Sequence, residues 1–144
     1  MKGARRVLGS FCSVVFGWIV CVSLWTVGVF AASAWGQPIS HAMSNALGFG
    51  FYVAAICGAC TLGVWAFIFV WIYCLTPRSS RLWGWRECTF GCGLAGVAFV
   101  VAALAVAGQG GGMVAYLIFG PSACVTGAAS GFFASFTAPY FHRL

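Results

Sequence analysis

"TPRSSRLWGWRE", Thr76 to Glu87, is the only internal stretch of the chain that carries Asp, Glu, Lys or Arg. Pro77 and Gly84 interrupt any helical pattern there, and three arginines and a glutamate cannot lie in hydrocarbon without a partner. The stretch therefore reads as a loop between two long apolar halves. On its N-terminal side, charge returns only at Lys2, Arg5 and Arg6. On its C-terminal side, it returns only at Arg143.

Such confinement of charge defines the class of protein. Hydrophobic residues make up 62% of the 144 residues and charged ones 6%, against about 25% charged in an average soluble domain. So few charges cannot cover the surface of a soluble fold of this length. One domain in a membrane is the consistent reading, covering residues 1–144. The net charge of +6 comes from basic residues dispersed among apolar blocks. That pattern predicts contact with anionic lipid headgroups and excludes a phosphate-tracking nucleic-acid stripe.

A spanning helix needs about 20 mostly apolar residues. Four blocks meet that requirement: Val7 to Trp35, Ala46 to Leu75, Cys88 to Ala107, and Met113 to Thr137. None contains Asp, Glu, Lys, Arg or His. Between them, "GQPISHAMSN" (Gly36–Asn45) has Gly, Pro and capping-type Ser and Asn. "GQGGG" (Gly108–Gly112) is too glycine-rich to continue a helix. The prediction is an all-α, antiparallel four-helix transmembrane bundle with short loops, the longest at 76–87.

Orientation follows from the basic residues. With four spans, the N-terminus, the 76–87 loop and the C-terminus lie on one side and hold all seven Lys and Arg residues. The other two connections have none. Both termini are therefore expected in the cytoplasm, in a bacterial inner membrane. Arg78, Arg81 and Arg86 would anchor the loop at the headgroups, with Trp83 and Trp85 at the interface. Ala32-Ser33-Ala34 has the spacing of a signal-peptidase site. The apolar run before it exceeds twenty residues, however, where a signal peptide uses about 7–15. The reading is a retained first span; cleavage would leave three.

Candidate chemistry is sparse. Cys57-x-x-Cys60 has the spacing of a redox pair, but Cys57 falls near the middle of its span, where apolar burial favours an inert thiol. Cys12, Cys74, Cys88 and Cys92 fall near the inner ends of three helices and could together ligate zinc. Their spacings include only one close pair, a weak pattern beside paired C-x-x-C knuckles. No metal or cofactor is expected. Acid–base catalysis needs a His or carboxylate partner, and the chain offers only Glu87, His41 and His142. The topology puts the two histidines on opposite faces. Glu87 reads as a favourable charge at a helix N-terminus. Without an ionisable residue inside a span, ion-coupled transport is also disfavoured.

The fourth block differs in its small residues. Gly127-x-x-x-Gly131 lets two helix backbones approach closely, and Pro121, after Gly120, removes one helical hydrogen bond. These four residues are expected at a packing surface, either within the molecule or against a partner helix. By elimination, the leading functional expectation is a non-enzymatic membrane protein acting by helix–helix contact. It would serve as an accessory subunit or immunity-type factor, binding a membrane protein or a second copy of itself. The alternatives are a homo-oligomeric pore or small permease lined by Ser122, Thr126 and Ser130, and a membrane thiol redox protein using Cys57 and Cys60.

Overall fold

The structure is a computed structural model that describes residues 2–77, 80–106 and 113–141. Arg78, the glycine-rich 108–112 connection, His142 and Arg143 lie outside the described residues. The elements are α1 (Lys2–Ala34), α2 (Ile39–Val64), a π-helical turn (Trp65–Phe69), α3 (Val70–Leu75), a 3₁₀ turn (Arg81–Trp83), α4 (Trp85–Val106) and α5 (Met113–Phe141). The described residues contain no strand. Taken together, α2, the π turn and α3 form one uninterrupted second span. Four helices are long and apolar enough to cross a membrane.

The helix boundaries differ from the sequence expectation in ways that have local causes. The second span starts at Ile39, not Ala46, so the connection before it shrinks to a few residues. Pro38 has φ −55° and ψ 142°, and its carbonyl accepts from the His41 and Ala42 amides at 3.0 and 3.1 Å. Pro38 thus starts the helix from outside it, and nothing in "ISHAMSN" breaks a helix once begun. The capping role expected of Ser or Asn is absent at this start: Asn45 instead donates to the Gln37 side chain at 3.2 Å. At the other end of the span, Thr76 turns extended (φ −71°, ψ 124°), as a residue preceding proline prefers. Ser80 then caps the 3₁₀ turn by accepting from the Leu82 amide at 3.2 Å. The third span begins at Trp85, ahead of Cys88, and α5 continues past Thr137 to Phe141.

Burial is arranged for lipid. Large apolar side chains point outward: Phe67 is 83% exposed, Phe51 76% and Leu94 71%. The buried positions are mostly small, including Ser10, Ser13, Cys21, Ala42, Ala46 and Ala134, with Tyr73 the largest fully buried side chain. A bilayer gives apolar side chains no reason to hide. Helices therefore associate through small residues that allow close backbone packing and through hydrogen bonds. Buried hydroxyls are satisfied locally. Ser13 donates to the Gly9 carbonyl at 2.9 Å and Ser130 to the Thr126 carbonyl at 2.7 Å, a back-bonding pattern suited to helices without water.

The helices form an open array, not a closed ring. The second span packs on α1, α1 on α5, and α5 on α4. Among the described residues, the second span and α4, at the two ends of this series, share no comparable interface. Three indoles fasten α1 to its neighbours. Trp18 donates to the Ala54 carbonyl at 3.1 Å, Trp25 to the Ser122 hydroxyl at 2.8 Å, and Trp65 to the Ser10 hydroxyl at 3.0 Å.

Candidate functional site: a groove across the bundle

Because the second span and α4 do not close on each other, a groove of about 510 Å³ runs between them. Val14 of α1 and Ser122, Thr126 and Ser130 of α5 contribute to its floor. One wall carries Cys57, Cys60, Val64, Trp65 and Ile68, and the other Gly91, Ala95, Phe99 and Ala103. Along α4, the lining extends from Glu87 to Leu104, which at about 1.5 Å per residue is roughly 26 Å. That length is close to the hydrocarbon thickness of a bilayer, about 30 Å.

The π turn belongs to this groove. Trp65, Ile68 and Phe69 all line it, and the turn includes Trp65, which reaches Ser10 on α1. Phe11 meets the same indole edge-on, with ring centroids 5.3 Å apart. A π turn widens the helix by one residue per turn and often marks a functional position. Nothing in "WAFIF" distinguishes it from ordinary helix, so sequence reasoning gave no signal for it.

One end of the groove is formed by Thr76, Leu82, Trp83 and Glu87. Trp83 is half-buried and meets Tyr73 edge-on at 5.1 Å, with its indole donating to the Pro77 carbonyl at 3.1 Å. It belongs to a small core with Tyr73, Cys88, Ala134 and Ala138, so it faces inward more than an interfacial anchor would. Trp85 is exposed, and the Arg86 guanidinium lies 5.1 Å from its ring centroid, a cation–π contact. Arg81 is exposed as well. The Glu87 carboxylate folds over Gly84, directly ahead of α4, and its exposed side chain has no basic partner among the described residues.

The four packing residues expected on α5 divide into two kinds. Gly127 and Gly131 lie against the backbone carbonyls of Cys92 and Cys88 on α4, where any added Cβ would collide. Gly120 has open space beside it, and Pro121 is exposed along a shallow pocket of about 300 Å³ with Trp25 and Gly28. Across the same α4–α5 interface, Gly96 abuts the Ala123 carbonyl, and Gly17 of α1 abuts Thr126 and Ser130. The hydroxyls expected to line a pore are all buried, and two of them engage groups of the chain itself: Ser122 donates to the Ile118 carbonyl at 2.6 Å while accepting from Trp25, and Ser130 donates within its helix.

Among the cysteines, Cys57 neighbours Cys21 of α1, and both are buried. Cys21 also lies 3.6 Å from the Ser122 carbonyl. Cys60, three residues on, is exposed, as is Cys12. Sequence spacing picked out Cys57 and Cys60, but only the helix packing brings Cys21 to Cys57. Among the described residues, no three His, Cys, Asp or Glu side chains are grouped to hold a metal ion. Cys12, Cys74, Cys88 and Cys92 therefore form no zinc cluster. The chain matches no protein-family model, no curated protein and no solved structure.

Proposed function

We propose that this is a small non-enzymatic multi-pass membrane protein that acts by helix–helix contact, as an accessory subunit or immunity-type factor of a membrane complex. The contact is made in the groove between the second span and α4. One observation carries the reading: the array is left open along the whole hydrocarbon depth, between two of its own spans. In a bilayer, helices recognise one another by close packing of small residues, and the α4 wall supplies Gly91, Ala95 and Ala103.

The bundle is antiparallel in this reading, with both termini in the cytoplasm of a bacterial inner membrane. Two sets of contacts support this. Arg6 near the start of α1 donates to the Cys74 carbonyl near the end of the second span at 3.2 Å. At the same end, Thr137 of α5 lies 3.2 Å from Ser13 and 3.4 Å from Tyr73. The N-terminal arginines and the Arg81–Arg86 region thus share one end of the molecule, where anionic headgroups would hold them. A reporter fused to the C-terminus should be active only inside the cell; activity only outside would overturn the orientation.

The partner reading is tested by purification in mild detergent. A stoichiometric membrane protein should accompany the chain and be lost when Gly91→Leu fills the groove. A lone protein, found repeatedly and regardless of that substitution, would count against the reading. The pore reading has less support, since Ser122 and Ser130 engage acceptors within the chain.

A further inference from the structure

We propose that Cys21 and Cys57 form a two-sulfur site for a soft monovalent metal ion, Cu(I), at the middle of the membrane. This goes beyond the helix-contact reading and stands without it. The two cysteines come from different helices, and both are buried. Contacts on either side fix their meeting: Trp18 lies against Ala54 and Gly58, and Thr26 against Gly50. On α5, the Ser122 carbonyl lies 3.6 Å from the Cys21 sulfur, and Ser122 and Thr126 line the groove with Cys57. Cys57 is the middle residue of the Ile39–Leu75 span. Three helices thus bring buried polar side chains to one depth, where lipid offers them no water.

The ligand set selects the ion. Thiolate sulfur is a soft donor that favours Cu(I), zinc or iron–sulfur clusters. Zinc takes four ligands, and among the described residues no three His, Cys, Asp or Glu side chains are grouped. Two sulfurs suffice for Cu(I), which forms linear two-coordinate complexes. Charge selects it as well. The sequence has no Asp, Glu, Lys or Arg between Arg6 and Arg78, or between Glu87 and Arg143, so the site must be close to neutral. Two thiols that bind Cu(I) and release one proton leave one thiolate, one thiol and one cation, with no net charge. Apolar burial opposes a bare thiolate, and the bound ion removes that cost. Access is open: Cys57 lines the groove, and Cys60, three residues on, is exposed in it. An arriving ion passes from Cys60 to Cys57 by exchange of sulfur ligands.

The test uses the full-length protein in mild detergent, without oxygen and with a phosphine reductant. Cu(I) is supplied as its bicinchoninate complex, whose colour reports transfer. The protein should withdraw a first equivalent of Cu(I) and release one proton for it, and X-ray absorption should show two sulfur neighbours. Cys21→Ser and Cys57→Ser should each weaken binding by more than the roughly 100-fold that losing an outer-shell partner costs at most. Cys88→Ser, which breaks the close pair with Cys92 on α4, should leave it unchanged. Copper that stays with the chelator overturns the site. So does binding that survives Cys21→Ser and Cys57→Ser, or that is lost in Cys88→Ser. If either serine variant fails to fold, the wild type decides. An ion joining α1 to the second span raises the thermal midpoint of the wild-type protein, whereas one held by Cys88 and Cys92 within α4 leaves it unmoved. No rise on loading overturns the proposal.

Discussion

Helix α4 has two flanks of similar composition and opposite fate. Toward α5, its Cys88, Cys92, Gly93 and Gly96 meet Ala123, Gly127, Ala128 and Gly131, backbone against backbone. Toward the second span, its Gly91, Ala95 and Ala103 line the groove, and a Cβ at Gly91 would stand clear of the described residues. Small residues are therefore necessary for close packing in a bilayer but do not say which faces will be packed. What separates the flanks is register. On the α5 side, glycines of each helix oppose carbonyls of the other. On the groove side, the facing residues of the second span are Trp65, Ile68 and Phe69, with a π turn that prevents a smooth ridge.

The sharpest way to break this contrast is a pair of glycine substitutions. Gly127→Leu inserts a side chain where even a Cβ collides with the Cys92 carbonyl. Overpacking of that kind costs about 1–3 kcal/mol or more, and displacing α5 also disturbs α1. Thermal denaturation in detergent, followed by gel-filtration monodispersity, should show a large loss. Gly91→Leu enters open space and replaces glycine in a helix, where Gly is worse than Leu by up to about 1 kcal/mol. It should leave stability unchanged or slightly higher. Equal loss in both variants would mean that the groove closes in the folded protein.

A smaller effect is expected at the indole fastenings, which hold α1 to the rest. Trp25→Phe keeps most of the ring and removes the bond to Ser122, leaving Ser122 to its helical acceptor. Interhelical hydrogen bonds in membranes average about 0.6 kcal/mol, so the shift in midpoint should be modest. Trp65→Phe, on the groove wall, removes the corresponding bond to Ser10 of α1. If the π turn is held by that bond, the Trp65 variant should change maleimide labelling of Cys60, which is exposed in the groove, while the Trp25 variant leaves it alone. Identical behaviour of the two would argue that the π turn is set by packing alone.

These differences mark what was legible in the residues. Spans announce themselves because a bilayer requires long apolar runs, and "TPRSSRLWGWRE" separates the second and third at its proline and charges. The GxxxG pair on α5 is legible as a packing element, but its partner α4 is not, since spacing on one helix carries no information about the opposing one. The early start at Ile39 is missed because Ser and Asn look like caps when Pro38 already supplies the boundary. The groove and the Cys21–Cys57 meeting have no linear signature at all. Both depend on the order in which helices pack.

The smallest effect tests that last point. Asn45→Ala removes an exposed bond to Gln37 at the opening turns of α2, within the segment that reads as loop. Exposed surface substitutions of this kind change stability by about 0.5 kcal/mol at most, and Ala is the better helix former. Stability should therefore stay the same or rise slightly. Pro38→Ala at the same junction removes the fixed φ that starts the helix from outside, and should fray the first turn. Hydrogen exchange at the His41 and Ala42 amides reads this directly, since both donate to the residue-38 carbonyl. Faster exchange in Pro38→Ala and unchanged exchange in Asn45→Ala place the boundary at proline. The reverse pattern would restore the polar cap as the device that starts the second span.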